Sequence, residues 1–104
     1  MTTSRSYYVY IMSNVSKTLY IGVTNNLERM VFQHRMKETD GFAKQYNTTM
    51  LIFMEEFPDP TSAMAREKQL KNWNRAKKLW LVERQNPEWR DLAKDWFGPS
   101  DSQD

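Results

Sequence analysis

The chain has 104 residues, a length that fits one domain with a modest hydrophobic core and is too short for two. It contains no cysteine, which excludes disulfides and thiolate metal sites, and its net charge of +2 does not by itself select a class of partner. No apolar run approaches the ~18 residues of a membrane-spanning helix, and the first residues lack the hydrophobic segment typical of a signal peptide. We therefore expect a cytoplasmic protein without a membrane partner.

The first predicted elements are two strands joined by a short polar turn. Residues 7–12 are aromatic and aliphatic, and residues 18–21 are β-branched and aromatic, a composition that favours strands at both places. The polar turn at residues 13–17 predicts that these strands pair as an antiparallel hairpin. Gly22 follows the second strand and permits either a turn or a close approach of another group.

A helix is predicted directly after this hairpin. Asn25 is placed to cap it, with Glu28 three residues later as its capping-box partner. One helical face shows the apolar spacing i, i+3, i+4, i+7, at Leu27, Met30, Val31 and His34. This strand–turn–helix unit therefore brings Tyr20 and the only histidine of the chain to neighbouring positions.

The second half of the chain is predicted to add one strand and three helices. After a polar break at 37–41 and a loop with a short helical turn at 42–49, the apolar run 50–54 predicts a central or edge strand. Three helix starts are signalled by cap residues, two of them followed by proline, at Asp59, Asn74 and Asn86. The inward faces of the last two helices are predicted at Ala76, Leu79, Trp80 and Val82, and at Trp89, Leu92 and Trp96.

This order of elements predicts an α/β fold of the α+β kind. Two strands, a helix, a third strand and then helices are typical of a small three-stranded antiparallel sheet flanked by helices. The predicted domain spans residues 6–97. Residues 98–104 form a polar, acidic tail that we expect to be disordered.

Positive charge is concentrated in the later helices. From Arg66 to Arg84 there are seven Lys or Arg and only two acids. Such a basic stretch in an aromatic-rich domain predicts a polyanionic partner, and a solvated helix face is the alternative interpretation. A protein-interaction domain is a third hypothesis; it would use four tryptophans, most of them on faces predicted to be buried, at Trp73, Trp80, Trp89 and Trp96.

Four residues are candidates for chemistry on their own merits. Glu67 shares a predicted helix face with Ala63 and Leu70, so its carboxylate needs a partner: the cation of an ion pair, a metal or several donors. Tyr10 and Tyr20 lie on strands that are expected to pair. Their role is either ordinary packing within the sheet or to place hydroxyl groups near a phosphate. His34 on its helix is either structural or a proton acceptor.

Short segments of the sequence resemble the GIY-YIG nuclease superfamily. Residues 20–22 read Tyr-Ile-Gly, and residues 8–10 read Tyr-Val-Tyr, with Tyr8 in place of the first glycine of the signature. The resemblance spans about residues 6 to 96 and is greatest to the small single-domain bacterial members. It continues at 22–29, His34, 65–71 and 86–92.

The resemblance implies both an architecture and an activity. The architecture is the same three-stranded sheet, and the activity is that of a metal-dependent endonuclease that hydrolyses phosphodiester bonds in DNA. Glu67 would ligate one Mg²⁺ or Mn²⁺, Tyr20 would orient or deprotonate water with support from Tyr10, and His34 would accept or relay the proton. Candidates for holding the DNA backbone are Arg29, Lys44, Arg66, Lys68, Lys71 and Arg75.

The sequence departs from this family at Met30. The family has an arginine four residues before the histidine, where it stabilises developing charge on the phosphate. Arg29 is adjacent but rotated by about 100° around the helix. Losing one such contact commonly costs on the order of 10² to 10³ in rate. Unless Arg66 or Lys44 reaches in, the alternative function is therefore a weak or inactive nucleic-acid-binding module.

Overall fold

The computed structural model of the protein describes residues 6–36 and 41–97. Its elements in chain order are β1 (Tyr7–Ser13), β2 (Tyr20–Thr24), α1 (Leu27–Arg35), α2 (Gly41–Tyr46), β3 (Met50–Phe57), α3 (Pro60–Asn72) and α4 (Arg75–Gln85). The predicted tail and most of the predicted polar break lie outside the described residues. None of the described helices is long and apolar enough to cross a membrane.

The three strands form one antiparallel sheet in the order β2-β1-β3. The predicted hairpin of β1 and β2 is present, and the α+β fold class is confirmed. The third strand lies at an edge and continues to Phe57, past the apolar run that predicted it. The central strand is β1, in which five consecutive residues are buried because it is covered on both faces.

The two faces of the sheet support two hydrophobic clusters. Because side chains alternate along a strand, Val9 and Ile11 of β1 pack on one face and Tyr10 and Met12 on the other. The first face is covered by α3 and α4, and we call it the α3 face. The second is covered by α1 and by residues near the end of the described chain, and we call it the α1 face.

The cap of α1 is Asn26, so the prediction of Asn25 is wrong. The side-chain oxygen of Asn26 accepts a hydrogen bond from the Arg29 N–H at 3.0 Å. The Thr24 hydroxyl oxygen accepts one from the Asn26 N–H, also at 3.0 Å, and this bond fixes the backbone before the helix. The third helical position is therefore Arg29 and not Glu28, so the predicted capping box does not form.

The helix predicted after Asn86 is absent, and the described residues 86–97 form turns instead. Trp89 has a φ of 54°, which lies in the left-handed region and interrupts a right-handed helix. Asn86 ends α4 through a backbone bond to Val82, and its buried side chain donates to the carbonyl oxygens of Ile52 and Arg90. Asn86 therefore fastens the end of α4 to β3.

The inward face of α4 also differs from its prediction. Val82 is fully buried and Leu79 partly so, but Ala76 and Trp80 are exposed, Trp80 to 51%. Leu81 packs against the cluster of the α3 face in their place. The Arg84 guanidinium carbon lies 5.0 Å from the centre of the exposed Trp80 ring, which covers part of that surface.

Candidate active site

Three predicted catalytic side chains meet on the α1 face. The ring centres of Tyr10 and Tyr20 are 6.3 Å apart, and His34 lies 5.0 Å from Tyr20 and 6.0 Å from Tyr10. The plane of the imidazole is inclined by 85° to the Tyr10 ring and by 69° to the Tyr20 ring, which are edge-to-face arrangements. The planes of the two phenol rings differ by 27°, and these rings are stacked. Tyr10 and His34 are buried, and Tyr20 is partly exposed. The site therefore has one side open to a ligand, at Tyr20.

The strand register explains why the two tyrosines are neighbours. Tyr10 is paired with Gly22, and Met12 is paired with Tyr20. Tyr20 is therefore the diagonal neighbour of Tyr10 on the same face of the sheet, a separation that aromatic side chains bridge. The spacing of α1 then places His34 over this pair, because Met30, Val31 and His34 are its buried residues.

Gly22 lies inside β2 and gives the Tyr10 ring its space. A Cβ atom at this position would stand 2.5 Å from the Tyr10 hydroxyl oxygen and 2.6 Å from the ring carbon that carries it. Of the two possibilities that the sequence leaves open, the structure therefore selects the close approach over the turn. The phenol of Tyr10 lies across the backbone of the edge strand.

We expect Gly22→Ala to displace Tyr10 and to lower the free energy of unfolding by about 1–3 kcal/mol, the usual range for overpacking. The matched control is Gly41→Ala, because a Cβ there meets no atom within 4 Å. The measurement is urea denaturation of both variants. Equal stabilities for the two variants would show that Tyr10 moves away without cost, contrary to this packing.

The imidazole of His34 is fixed in one tautomer. Its Nδ1 lies 3.0 Å from the carbonyl oxygen of Thr48, a residue that is 1% exposed. A carbonyl oxygen only accepts, so Nδ1 carries the proton and the lone pair of the neutral ring lies on Nε2. The sequence does not predict that Thr48 is the partner of His34, because the contact is made by the backbone carbonyl group and not by the Thr48 side chain.

Met30 is buried against the tyrosines, as the spacing of α1 predicts. It is 6% exposed and belongs to the same cluster as Tyr10, whereas Arg29 beside it is exposed. Arg29 therefore does not take the place of the arginine that the family resemblance led us to expect at position 30.

Glu67 lies on α3, where its carboxylate is partly buried. Its side chain is 23% exposed, and Oε2 pairs with Nζ of Lys71 at 2.9 Å, so the predicted ion-pair alternative is present. The flanking residues Ala63 and Leu70 pack on the α3 face, opposite to the tyrosines. The helix α3 also packs against the edge strand β2.

The predicted nucleic-acid-binding cations are distributed over several surfaces. Arg66 pairs with Glu55 at 2.8 Å and lies over Trp73, so its charge is already used on the α3 face and does not replace the missing arginine. The Lys44 side chain lies outside the described part of the structure. The remaining candidates differ in their partners: Lys71 pairs with Glu67, Arg75 donates to a backbone oxygen, and Arg29 and Lys68 are exposed.

Neither described cavity coincides with the tyrosine–histidine cluster. The larger, of about 600 Å³, is lined by the segment after α4, from Arg90 to Trp96. The smaller, of about 360 Å³, lies between the β1–β2 turn and α4. Within the described residues, no group of three or more His, Asp or Glu side chains is arranged to hold a metal.

Comparison with known proteins supports the resemblance. The family model for the GIY-YIG catalytic domain matches residues 6–79. A UPF0213 protein of Natronomonas pharaonis is 38% identical over 76 residues, which cover 73% of this chain and 89% of the relative. A UPF0213 protein of Syntrophus aciditrophicus is 37% identical over 82 residues, which cover 78% of this chain and 93% of the relative.

A solved structure shows a matching fold. The solution NMR structure of a UPF0213 protein from Bacillus halodurans superposes with a TM-score of 0.55 and 25% sequence identity. The match covers 86% of this chain and 95% of that chain, so it includes the sheet and most of the helices. The family match, the similar relatives and this shared fold lead to one conclusion. The chain belongs to the GIY-YIG family.

Proposed function

We propose that this protein is an endonuclease that hydrolyses phosphodiester bonds in DNA with the help of one divalent cation. The observation that carries the proposal is the contact cluster of Tyr10, Tyr20 and His34, with one tyrosine open to solvent and the histidine fixed in a single tautomer. A packing role alone needs neither hydroxyls nor an oriented imidazole at this place.

The cluster supplies a path for the proton of an attacking water. The water oxygen forms the new bond to phosphorus, the bond from phosphorus to the leaving sugar oxygen breaks, and that oxygen takes up a proton from solvent. Tyr20 orients the water, but an ordinary tyrosine, with a pKa of about 10, is a poor base at neutral pH. Nε2 of His34 carries the lone pair of the imidazole, so it is suited to take up the proton.

Glu67 is the residue that would hold the cation. A partly exposed carboxylate is a ligand that Mg²⁺ and Mn²⁺ accept together with water and phosphate oxygens, and Oε1 has no described protein partner. When bound, such an ion stabilises negative charge on the phosphate. Because β2 is an edge strand, a phosphate beside it would meet Tyr20 from one face and α3 from the other.

The role of Glu67 is tested by two variants that remove the same ion pair. Glu67→Gln and Lys71→Gln both break the contact at 2.9 Å, but only Glu67→Gln removes a metal ligand. We expect Mn²⁺ to bind Glu67→Gln at least about tenfold more weakly than the native chain, and Lys71→Gln to bind it undiminished. Calorimetric titration with Mn²⁺ measures both affinities. Equal affinities in the two variants would leave Glu67 as an ion-pair residue only.

A second candidate function is a nucleic-acid-binding module that does not cut. The observation that favours it is Met30, a buried side chain without charge or donor at the position of the family's arginine. Such a module would bind DNA with strong salt dependence and release it uncleaved in Mg²⁺ or Mn²⁺.

A further inference from the structure

The β1–β2 turn and the start of α4 enclose a cavity of about 360 Å³ with an unusual concentration of positive charge. Three of its six lining residues are cations, Lys17, Arg75 and Lys78, and the others are Ser16, Thr18 and Leu19. No lining residue is acidic. The cavity therefore combines a concave shape with a charge that suits an anion.

Contacts within the fold hold two of these cations in place. Lys17 has a φ of 61°, and its N–H donates to the Asn14 carbonyl oxygen at 2.9 Å. Nη2 of Arg75 donates to the carbonyl oxygen of Lys17 at 2.8 Å, so α4 is fastened to the turn. Nζ of Lys17 lies 4.6 Å from the centre of the Trp89 ring. The positions of Lys17 and Arg75 are therefore set before any ligand arrives.

None of the three cations pairs with an acid in the described part of the chain, although four other cations do. Arg35, Arg66, Lys71 and Arg90 each form an ion pair. Grouping three unpaired positive charges raises the electrostatic energy of the folded chain, and an anion in the cavity would lower it. The N-terminal amides of α4 add positive potential at the same place.

The cavity adjoins the tyrosine face at the edge of the sheet. Leu19 lines the cavity, and the next residue is Tyr20, the partly exposed member of the tyrosine–histidine cluster. Leu19 packs against the cluster of the α3 face and Tyr20 against that of the α1 face, so the cavity and the tyrosine cluster lie on two sides of one edge. A nucleic-acid strand carries one phosphate per nucleotide, so a strand that crosses this edge would present phosphates on both sides of it.

We propose that Lys17, Arg75 and Lys78 form a subsite for a backbone phosphate that flanks the scissile phosphate at Tyr20. The subsite rests on the proposed nuclease function only for the position of the scissile phosphate. Its ligand is a phosphodiester of a nucleic-acid strand, bound through charge and therefore without preference for base sequence.

The test compares cations on the same helix. Lys78→Gln and Arg75→Gln remove charge from the cavity, and Arg84→Gln removes the same charge six residues beyond Lys78, about 9 Å along the axis. Fluorescence anisotropy with a labelled single-stranded oligonucleotide gives the affinity at several salt concentrations. We expect each cavity variant to bind more weakly and to reduce the slope of log affinity against log salt by about 0.7, and Arg84→Gln to leave it unchanged.

Several results would overturn the subsite. The first is an equal slope of log affinity against log salt for Lys78→Gln and Arg84→Gln, and the second is a native chain that does not bind the oligonucleotide. The third is inorganic phosphate that binds to backbone N–H groups of the cavity while neither cavity variant changes the slope. If Arg75→Gln unfolds, the comparison of Lys78→Gln with Arg84→Gln tests the subsite by itself. Lys78→Gln is expected to stay folded because the Lys78 side chain has no described hydrogen bond. A native chain that does not cut but shows the expected slopes would remove the proposed reaction and support the subsite.

Discussion

Replacing Tyr20 by phenylalanine is expected to lower the rate of metal-dependent DNA cleavage by about 10²-fold, the usual cost of misplacing a reacting group, because its hydroxyl would no longer orient the attacking water. The substitution removes one hydroxyl and keeps the ring, so the packing against His34 at 5.0 Å between ring centres stays. Cleavage of an end-labelled oligonucleotide under single-turnover conditions measures the chemical step directly.

The control for this variant is Tyr7→Phe, which deletes the same hydroxyl from the same sheet. Tyr7 packs against the cluster of the α3 face, away from Tyr10 and Tyr20. We expect its cleavage rate to match that of the native chain. A Tyr20→Phe protein that cuts as fast as Tyr7→Phe would show that the cluster is ordinary strand packing.

The second large effect is expected from Met30→Arg, which places a cation on the face of α1 that meets the tyrosines. If the other groups of the site are intact, cleavage should rise by about one to three orders of magnitude. Met30 is only 6% exposed, so the new charge is buried until a phosphate meets it. We therefore expect the thermal midpoint to fall without DNA while the cleavage rate rises.

Met36→Arg is the matched control for added charge. Met36 caps the end of the same helix and is 55% exposed, so Met36→Arg adds an equal charge at the end of α1 without entering the site. A general gain in DNA affinity would accelerate both variants alike. A folded Met30→Arg protein that cuts no faster than Met36→Arg would favour the binding module over the nuclease.

The sequence predicted the sheet and its tyrosine pair because these depend on alternation and local turns. Tyr10 and Tyr20 share a face through the period of two in paired strands, and His34 joins them through the spacing of α1. The close approach at Gly22 was one of two possibilities, because a glycine in sequence does not reveal which group fills its space. The register then decides that this group is Tyr10.

Two errors arose where tertiary contacts overrode local signals. Asn86 followed by proline is a common helix start, but here the asparagine side chain binds the carbonyl oxygen of Ile52 and Trp89 adopts a positive φ, so no helix follows. Trp80 was predicted to face inward together with Val82, yet α4 packs with Val82 buried and Trp80 exposed. The cationic cavity was missed because Lys17 and Lys78 are far apart in sequence.

The most direct measurement of the central claim is cleavage by the native chain itself. Purified protein is incubated with labelled single-stranded, duplex and branched DNA in Mg²⁺, in Mn²⁺ and in EDTA. The account predicts that at least one substrate is cut in the presence of a divalent ion and that EDTA abolishes the cutting. DNA that is bound with steep salt dependence but remains intact with either metal would contradict the nuclease and establish the binding module in its place.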